Sequence, residues 1–489
     1  MQNNIKRIHL RLNPDYKKVI PRFFNPGDKR SKRLIIKILE IPEPDVKKIL
    51  DGILKEFAGR HRQITDIFTR HFDFIVYLLP ANSHWLMTRE RMLLLGAYFT
   101  MEYSFEDAAL FNPSIVEAPD QTGAGKGESN VIISFRATGE SHISSLIFKK
   151  GKLLANGEVI LEDDGKFMTT GKVTQKNPDH KILFEEALAF VELSKEIREN
   201  LLEQLHEPFT YKEIELIVTN VLSGIPSVIE RTNIKYKILN LVNTNYELHF
   251  PPESLISERV IFPFTYTEKN GIEDARFVKF TNDDGSVIYM GTYTAYDGLT
   301  IRPQLIKTKD FCHFTMSALH GKTAINKNLA LFPRKINGEY VMLSRVDGEN
   351  NFIMFSDDLH LWENAQLIQE PEYAWELIQV GNAGSPIETE AGWLVITHGV
   401  GPMRKYCLGA ALYDLNNPAI LLGKLKEPLL LPNEDERHGY VPNVVYSCGS
   451  IVHNDILFIP YAVSDYASAF ATIPLEILIQ AILNENNNS

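Results

Sequence analysis

Apolar residues recur along the chain at two different spacings, and the change of spacing divides it. Val46, Ile49, Leu50, Ile53, Leu54 and Phe57 stand three and four apart behind Asp45, a residue suited to cap a helix. The same period resumes at Ile64, Ile67, Phe68 and Phe72, and residues 88–103 read as another helix. Residues 1–105 are therefore expected to form a helical region, with Lys29, Arg30, Lys32, Arg33, Arg60 and Arg62 on solvated faces. The helical period returns at Ile182, Leu183, Phe184, Ala187, Phe190, Val191, Ile197, Leu201 and Leu205. Thr210 to Glu213 then spell a capping box, with Phe209 placed to staple onto Ile214, which predicts a helix from 211.

From 255 to 475 the pattern shortens to β-runs separated by Gly, Asp, Asn and Pro. VIYMGTYTA (287–295), EYVMLSR (339–345), GWLVITH (392–398) and ILFIPYAVS (456–464) are strands by composition, each preceded by a shorter strand ending in a turn. These hairpins begin near 273, 326, 384 and 443, at gaps of 53, 58 and 59 residues. About four strands per unit at that period signal a β-propeller. A fifth unit starts at FNPSIV (111–116) and runs through NVIISFRATG and HISSLIFKKG. The expectation is a mainly β chain, a five-bladed β-propeller. Its parts are an N-terminal helical region (1–105), a first blade (106–165), a helical insertion (166–254), four further blades (255–480) and a polar tail (481–489).

The 489 residues are 44% apolar and 23% charged, which suits a packed core and excludes global disorder. The net charge of −11 argues against a nucleic-acid partner, because a phosphate backbone needs clustered cations. Cys312, Cys407 and Cys448 lie far apart and form neither a disulfide framework nor zinc spacing, so a reducing, cytoplasmic setting is expected. The polar start MQNNIKRIHL lacks the apolar core of a signal peptide. No apolar run reaches the roughly 18 residues of a membrane span. Neither a membrane partner nor a metal site is expected, and the helical segments offer a surface for assembly as a homo-oligomer.

In a propeller the innermost strand of each blade lines the central channel. The five repeat starts carry polar residues where a purely structural strand would be apolar: Asn112, Glu273 with Asp274, Asn326 with Lys327, Asn382, and Asn443. One Asn at a strand start is a turn residue; five polar starts in register point to a convergent site. Three returning strands end in Arg345, His398 and Asp465, and Gly399 and Gly401 allow close backbone approach beside His398.

These residues resemble glycoside hydrolase family 130, the β-mannoside phosphorylases and mannosidases. The resemblance rests on FNPS (111–114), GIEDAR (271–276), NKNLALFPRKINGEY (326–340), SDDLHLW (356–362), GNAGSPIETEAGWLVITHG (381–399), ALYDLNNP (411–418), GYVPNVVYSCG (439–449) and YAVSD (461–465). It covers about 100–165 and 255–475 and implies a five-bladed propeller. Where the family usually reads Glu-Asp-Pro-Arg, this chain has Ala275 in place of the proline. The N-terminal region and the 165–250 insertion lie outside the family's minimal propeller and suggest a distinct, N-terminally extended subgroup.

Inverting cleavage of a glycosidic bond needs an acid for the leaving oxygen and a nucleophile on the opposite face. The resemblance implies Asp274 as the acid, acting through a sugar hydroxyl, with its pKa raised by burial or by Glu273. The alternative at these positions is an ion pair of Glu273 and Asp274 with Arg276. A phosphorylase binds phosphate in place of an activated water and so needs cations and donors. Lys327, Arg345 and His398 are expected to form that cationic pocket, with Arg302 in addition. Asn112, Arg136, Glu273, Asn326 and Asp465 are expected on the mannosyl unit, while Tyr293 and Trp375 read as core. The implied activity is phosphorolysis of β-mannoside oligosaccharides to α-mannose-1-phosphate, with inorganic phosphate as co-substrate and no cofactor. The alternatives are an inverting β-mannosidase, with Glu388 or Glu390 as base, and a non-catalytic carbohydrate-binding propeller.

Overall fold

The computed structural model describes residues 4–81, 83–175, 185, 188, 193–206, 211–242 and 245–486. Helices Asp28–Leu39, Glu43–Phe57, Ile64–Asp73 and Arg89–Tyr98 bury Ile35, Ile38, Val46, Phe72, Leu94 and Phe99 against one another. Pro42, not Asp45, is the N-cap of the second helix. Asp45 lies with Glu43 in its first turn, where a carboxylate meets the positive end of the helix dipole. The N-terminal region is not wholly helical. Val19–Phe23 pairs with Thr100–Ser104, so the expected helix over 88–103 stops at Tyr98 and the chain turns into a strand. Lys6–Leu12 pairs with Ala467–Pro474 near the other end of the chain. Its Ile8, Leu10 and Leu12 pack inward at the two-residue spacing of a strand, a period overlooked beside the helices that follow.

Five antiparallel groups of strands make up the rest. The first runs Ala109–Glu117, Ser129–Thr138, Ser144–Leu153 and Val159–Leu161. The second runs Gly271–Thr281, Val287–Tyr296, Ile301–Thr308 and His313–Ala318. Gly271 pairs with Ser144, which joins these two groups into one twelve-stranded sheet. The third holds Ala330–Leu331, Tyr340–Ser344, Asn351–Ser356 and Ala365–Gln369. The fourth holds Gln379–Asn382, Gly392–Gly401, Lys405–Tyr413 and Leu421–Lys424. The fifth holds Val445–Tyr446, Ile456–Val463 and Ala467–Pro474, finished by Lys6–Leu12. Among the described residues no sheet closes on itself.

The strands are buried on both faces, and this is why several read as unbroken apolar runs. Val341 and Leu343 pack on Trp393 and Val395 of the fourth group, whereas Met342 between them packs on Met290 and Leu305 of the second. Leu394 and Ile396 turn the other way, onto Leu457 and Ile459 of the fifth group. Phe458 and Phe470 of the fifth meet Ile133 and Phe135 of the first, and Phe148 of the first meets Phe277 of the second. Each group thus shares an apolar layer with the next, and the fifth with the first. At the inner edge, an added Cβ at Gly449 would lie 2.3 Å from Ser114 Oγ, and one at Gly384 only 2.5 Å from Gly449 Cα. Only glycine lets these inner strands approach so closely.

The insertion extends the second group before turning helical. Lys172–Gln175 pairs with Tyr246–His249, which pairs in turn with His313–Ala318. Between them, helices Lys195–Gln204, Tyr211–Leu222 and Val228–Val242 bury Leu201, Ile214, Val218 and Ile238. The second of these is described from Tyr211 onward; Phe209 and Thr210 of the proposed staple and capping box, and with them the predicted start of the helix, lie outside the described residues. So does most of the apolar stripe over 182–191.

Candidate active site

Two matched β-bulges set up one side of a cleft at the inner strand ends. Register is lost between Phe111 and Ser114, so Asn112 and Pro113 face one residue of the neighbouring strand. It is lost in the same way between Glu273 and Arg276, at Asp274 and Ala275. Asn112 and Asp274 take left-handed backbone, φ 49° and 54°. A bulge re-aims a side chain off the ladder. Here the two re-aimed side chains meet: Asn112 Nδ2 donates to Asp274 Oδ1 at 2.6 Å. Asn112 Oδ1 is buried without a partner among the described residues, an acceptor left for a ligand hydroxyl.

Arg136 Nη1 also donates to Asp274 Oδ1, at 3.3 Å, and its Nη2 to Glu273 Oε1 at 2.6 Å. Lys327 Nζ donates to the other oxygen of Glu273 at 2.7 Å. Burial pushes the Asp274 carboxyl up, but Arg136, Lys327, the Asn112 hydrogen bond and Arg276 together outweigh it and hold the group below the usual carboxylate range. The expected upward shift is therefore not found. Asp274 is an ionised carboxylate because cations surround it. The group that burial does push up is Asp465, to about 6, with Arg136 and Arg404 opposing and Asp274 and Glu273 adding.

The other side of the cleft is built on the third, fourth and fifth groups. Asn382, fully buried, is its hub. Its carbonyl accepts from Arg276 Nη1 at 3.2 Å, Asn328 Nδ2 at 3.0 Å and His398 Nδ1 at 3.0 Å. Its Oδ1 accepts from Arg276 Nη1 at 2.7 Å, and its Nδ2 donates to Asn328 O at 2.6 Å. Arg276 Nη2 donates to Tyr446 Oη at 2.6 Å, so Arg276 does not form the alternative ion pair with Glu273 and Asp274. His398 uses Nδ1–H on Asn382, which leaves Nε2 to accept from Arg345 Nη1 at 3.3 Å. Burial, then Arg345 and Arg276, hold the imidazole well below its ordinary range. His398 is thus a neutral acceptor that aims Arg345, not the third cation. Burial also lowers the Arg345 pKa, but a guanidinium stays charged, and its Nε has no partner among the described residues.

The cleft, about 180 Å³, is lined by Asn112, Arg136, Asp274, Lys327, Asn328, Arg345, Gln379, His398, Arg404, Tyr406, Val441, Val444, Tyr446 and Asp465. Seven residues expected from the sequence are in it: Asn112, Arg136, Asp274, Lys327, Arg345, His398 and Asp465. Three are not. Glu273 sits behind the lining, both oxygens bound by Arg136 and Lys327. Asn326 turns its Oδ1 onto Lys327 N at 2.9 Å; its neighbour but one, Asn328, with φ 71°, takes the place in the cleft. Arg302 lies on the second group, where its charge acts on His320 and Asp297 acts on it. Asn443 is a turn residue, bound by Arg437 Nε at 2.8 Å. Glu388 is paired with Arg334 at 2.6 Å and, like Glu390, is not in the cleft. Tyr293 is core, its hydroxyl on Glu268, and Trp375 covers Gly399 and Gly409.

The model of glycoside hydrolase family 130, described as beta-1,4-mannooligosaccharide phosphorylase, matches residues 237–484, which is 248 of the 489 residues. The chain belongs to glycoside hydrolase family 130. Among relatives in the family, the 1,2-beta-oligomannan phosphorylase of Thermoanaerobacter sp. is 37% identical over 217 residues, 43% of this chain and 71% of that protein. The beta-1,2-mannobiose phosphorylase of Listeria innocua is 33% identical over 228 residues, 45% of this chain and 62% of that protein. The solved structure of the Listeria innocua enzyme with beta-1,2-mannobiose aligns at a TM-score of 0.45 with 21% identity, over 77% of this chain and 92% of that one.

The matched stretch leaves out Asn112 and Arg136, which the fold nevertheless brings to Asp274. Ala275 stands in its bulge where Pro113 stands in the other, each directly after a left-handed residue, Asp274 or Asn112. Asn328, Gln379, Arg404, Tyr406 and Tyr446 were missed. A shift of two along NKN would have found Asn328, but nothing local marks Arg404, which enters from a surface turn.

Proposed function

We propose that this family 130 chain is a phosphate-dependent β-mannoside phosphorylase that cleaves with inversion to give α-mannose-1-phosphate, on a five-bladed propeller. The propeller reading is supported by the apolar layers shared from each strand group to the next and from the fifth back to the first. The N-terminal strand Lys6–Leu12 completes the fifth blade and ties the two ends of the chain together.

Phosphorolysis is carried by one observation: opposite Asp274, which its neighbours hold ionised, the cleft sets cations that have spare donors. Lys327 and Arg345 come from the third blade, and Arg345 keeps an unpartnered buried N–H. An inverting hydrolase needs a second carboxylate to activate water. The two Glu residues considered for that role stand outside the cleft, and the other carboxylate inside it, Asp465, interacts with Arg136, Arg404 and Asp274 on the acid's side, away from Lys327 and Arg345. Phosphate enters already anionic and needs only these donors. Its charge beside Lys327 offsets part of the field that keeps Asp274 ionised, so nucleophile binding raises the proton affinity of the acid. Asn112 holds the acid in place and offers Oδ1 to a sugar hydroxyl, and Arg136 and Asp465 grip the mannosyl unit.

The test is cleavage of β-1,2- and β-1,4-mannobiose with and without inorganic phosphate. Formation of α-mannose-1-phosphate that requires phosphate is expected. Equal cleavage in phosphate-free buffer would assign a mannosidase instead. No cleavage, together with no phosphate release from α-mannose-1-phosphate in the presence of any acceptor sugar, would leave a binding protein.

A further inference from the structure

Two loops of the same build flank the fifth group, one reaching the cleft through Arg404 and the other meeting Tyr440 through His142. Gly139–His142 on the first group and Gly401–Arg404 on the fourth each start from an extended glycine, φ −112° in both. Each then runs through two consecutive left-handed residues with side chains: Ser141 and His142 at φ 60° and 59°, Met403 and Arg404 at 60° and 55°. Such backbone is strained and persists where the surroundings over-determine it, most often at sites that hold a ligand. The strain places His142 and Arg404 on either side of the fifth group. Arg404 lines the cleft, close enough for its charge to act on Asp465. His142 lays its ring against Tyr440, with centroids 5.6 Å apart and planes at 31°.

Tyr440 belongs to a segment clamped over Asp465. Val441 N donates to Ser464 O at 3.0 Å, and Ser464 N to Val444 O at 2.8 Å; Val441 and Val444 both line the cleft. The Tyr440 ring nevertheless remains 68% exposed. An aromatic ring held firmly by its backbone, backed by a second ring and left open at the rim of a polar cleft, offers an apolar face beside hydrogen-bonding groups. Stereochemistry says which sugar would use it. With phosphate against Lys327 and Arg345 on the third group, inversion sends the leaving sugar out on the opposite side, past Asp274. The first and fifth groups, with His142 and Tyr440, lie there.

We propose that Tyr440, backed by His142, is the platform for the leaving sugar, and that Arg404 binds that sugar's hydroxyls. The ligand is a neutral pyranose with one face of C–H bonds for the ring and hydroxyls at its edge. This assignment deepens the phosphorylase reading and rests on it.

The experiment compares Tyr440→Ala, Tyr440→Phe and Arg404→Ala with the unaltered protein, using β-1,2- and β-1,4-mannobiose. Losing the aromatic face in Tyr440→Ala is expected to raise KM for the preferred mannobiose about tenfold, with KM for phosphate changed by less than about twofold. Tyr440→Phe keeps the ring and should match the unaltered protein. Arg404→Ala should also raise the mannobiose KM without touching that for phosphate. Equal rises for phosphate and mannobiose in Tyr440→Ala, or no change in either, would overturn the assignment. Calorimetric titration with mannobiose keeps the two proposals apart. If the protein turns over no mannoside but binds mannobiose about tenfold more weakly in Tyr440→Ala, the platform stands and the phosphorylase reading falls. If binding is unaltered in Tyr440→Ala, the platform falls whatever the activity.

Discussion

Asp274→Asn is the sharpest test of the site, because the exchange keeps shape and removes only charge and proton. The oxygen that accepts from Asn112 at 2.6 Å and Arg136 at 3.3 Å survives in the amide. Arg136 and Lys327 both keep Glu273, at 2.6 and 2.7 Å, so neither cation is left unpaired. Two charge-assisted hydrogen bonds become ordinary ones, a loss of about 1 kcal/mol each, and part of that returns because a buried charge is gone. The folded state should therefore weaken by about 1–2 kcal/mol, a fall in Tm of a few degrees. The loss of the acid should lower kcat by about 10²–10⁴. Rates of α-mannose-1-phosphate formation read the second figure and calorimetric melting the first. The depressed pKa of Asp274 adds a pH signature. Its ionised form contributes stability that is present above the usual carboxylate range and lost as pH falls through the lower folded value. The variant should lack that acid-limb dependence. Turnover within about threefold of the unaltered protein would refute the role of Asp274 as acid. A collapse of Tm by more than about 10 °C would show that the carboxylate holds the strand groups together and that lost activity reports lost structure.

Arg345→Ala should raise KM for phosphate about 10–100-fold, the worth of charge-assisted hydrogen bonds, and change KM for the mannoside by less than about threefold; equal effects on both would move Arg345 off the phosphate. Asp465, with a folded pKa of about 6, binds its proton more tightly folded than unfolded, so its cost to stability is absent well below the ordinary value of 3.8, grows between the two values and is complete above the folded one. Asp465→Asn should therefore be more stable than the unaltered protein at pH 8, by up to about 3 kcal/mol, and nearly equal to it at about pH 3 in urea unfolding; the same difference at both pH values would contradict the shift. Asn382→Ala removes the acceptor of Arg276 at 2.7 Å and the donor to Asn328 O at 2.6 Å inside the hub, and should cost about 3 kcal/mol in denaturant unfolding; a cost below about 1 kcal/mol would show that the hub is not structural.

What the sequence by itself determined is the recurring strand pattern and most of the polar groups that meet in the cleft. The period of 53 to 59 residues and the paired apolar runs are local properties, because a strand buried on both faces must be apolar at every position. Val341, Met342 and Leu343 read as a strand wherever they pack. Polar residues at the repeat starts were equally visible, since a bulge needs Asn or Asp to tolerate left-handed backbone, as at Asn112 and Asp274. Tertiary structure decided which of those polar groups face the cleft and in what protonation state. Two residues of register separate Asn328 in the cleft from Asn326 outside it, and sequence alternation cannot resolve that step at a turn. Charge states depend on neighbours far away along the chain. His398 is neutral because burial, with Arg345 and Arg276 beside it, outweighs the Asn382 carbonyl that favours its proton, and Asp274 is ionised because Arg136 arrives from 138 residues away. Arg404 and Tyr440 stand in exposed turns with no pattern of their own, and only the closing of the fifth group against the first and fourth brings them over Asp465.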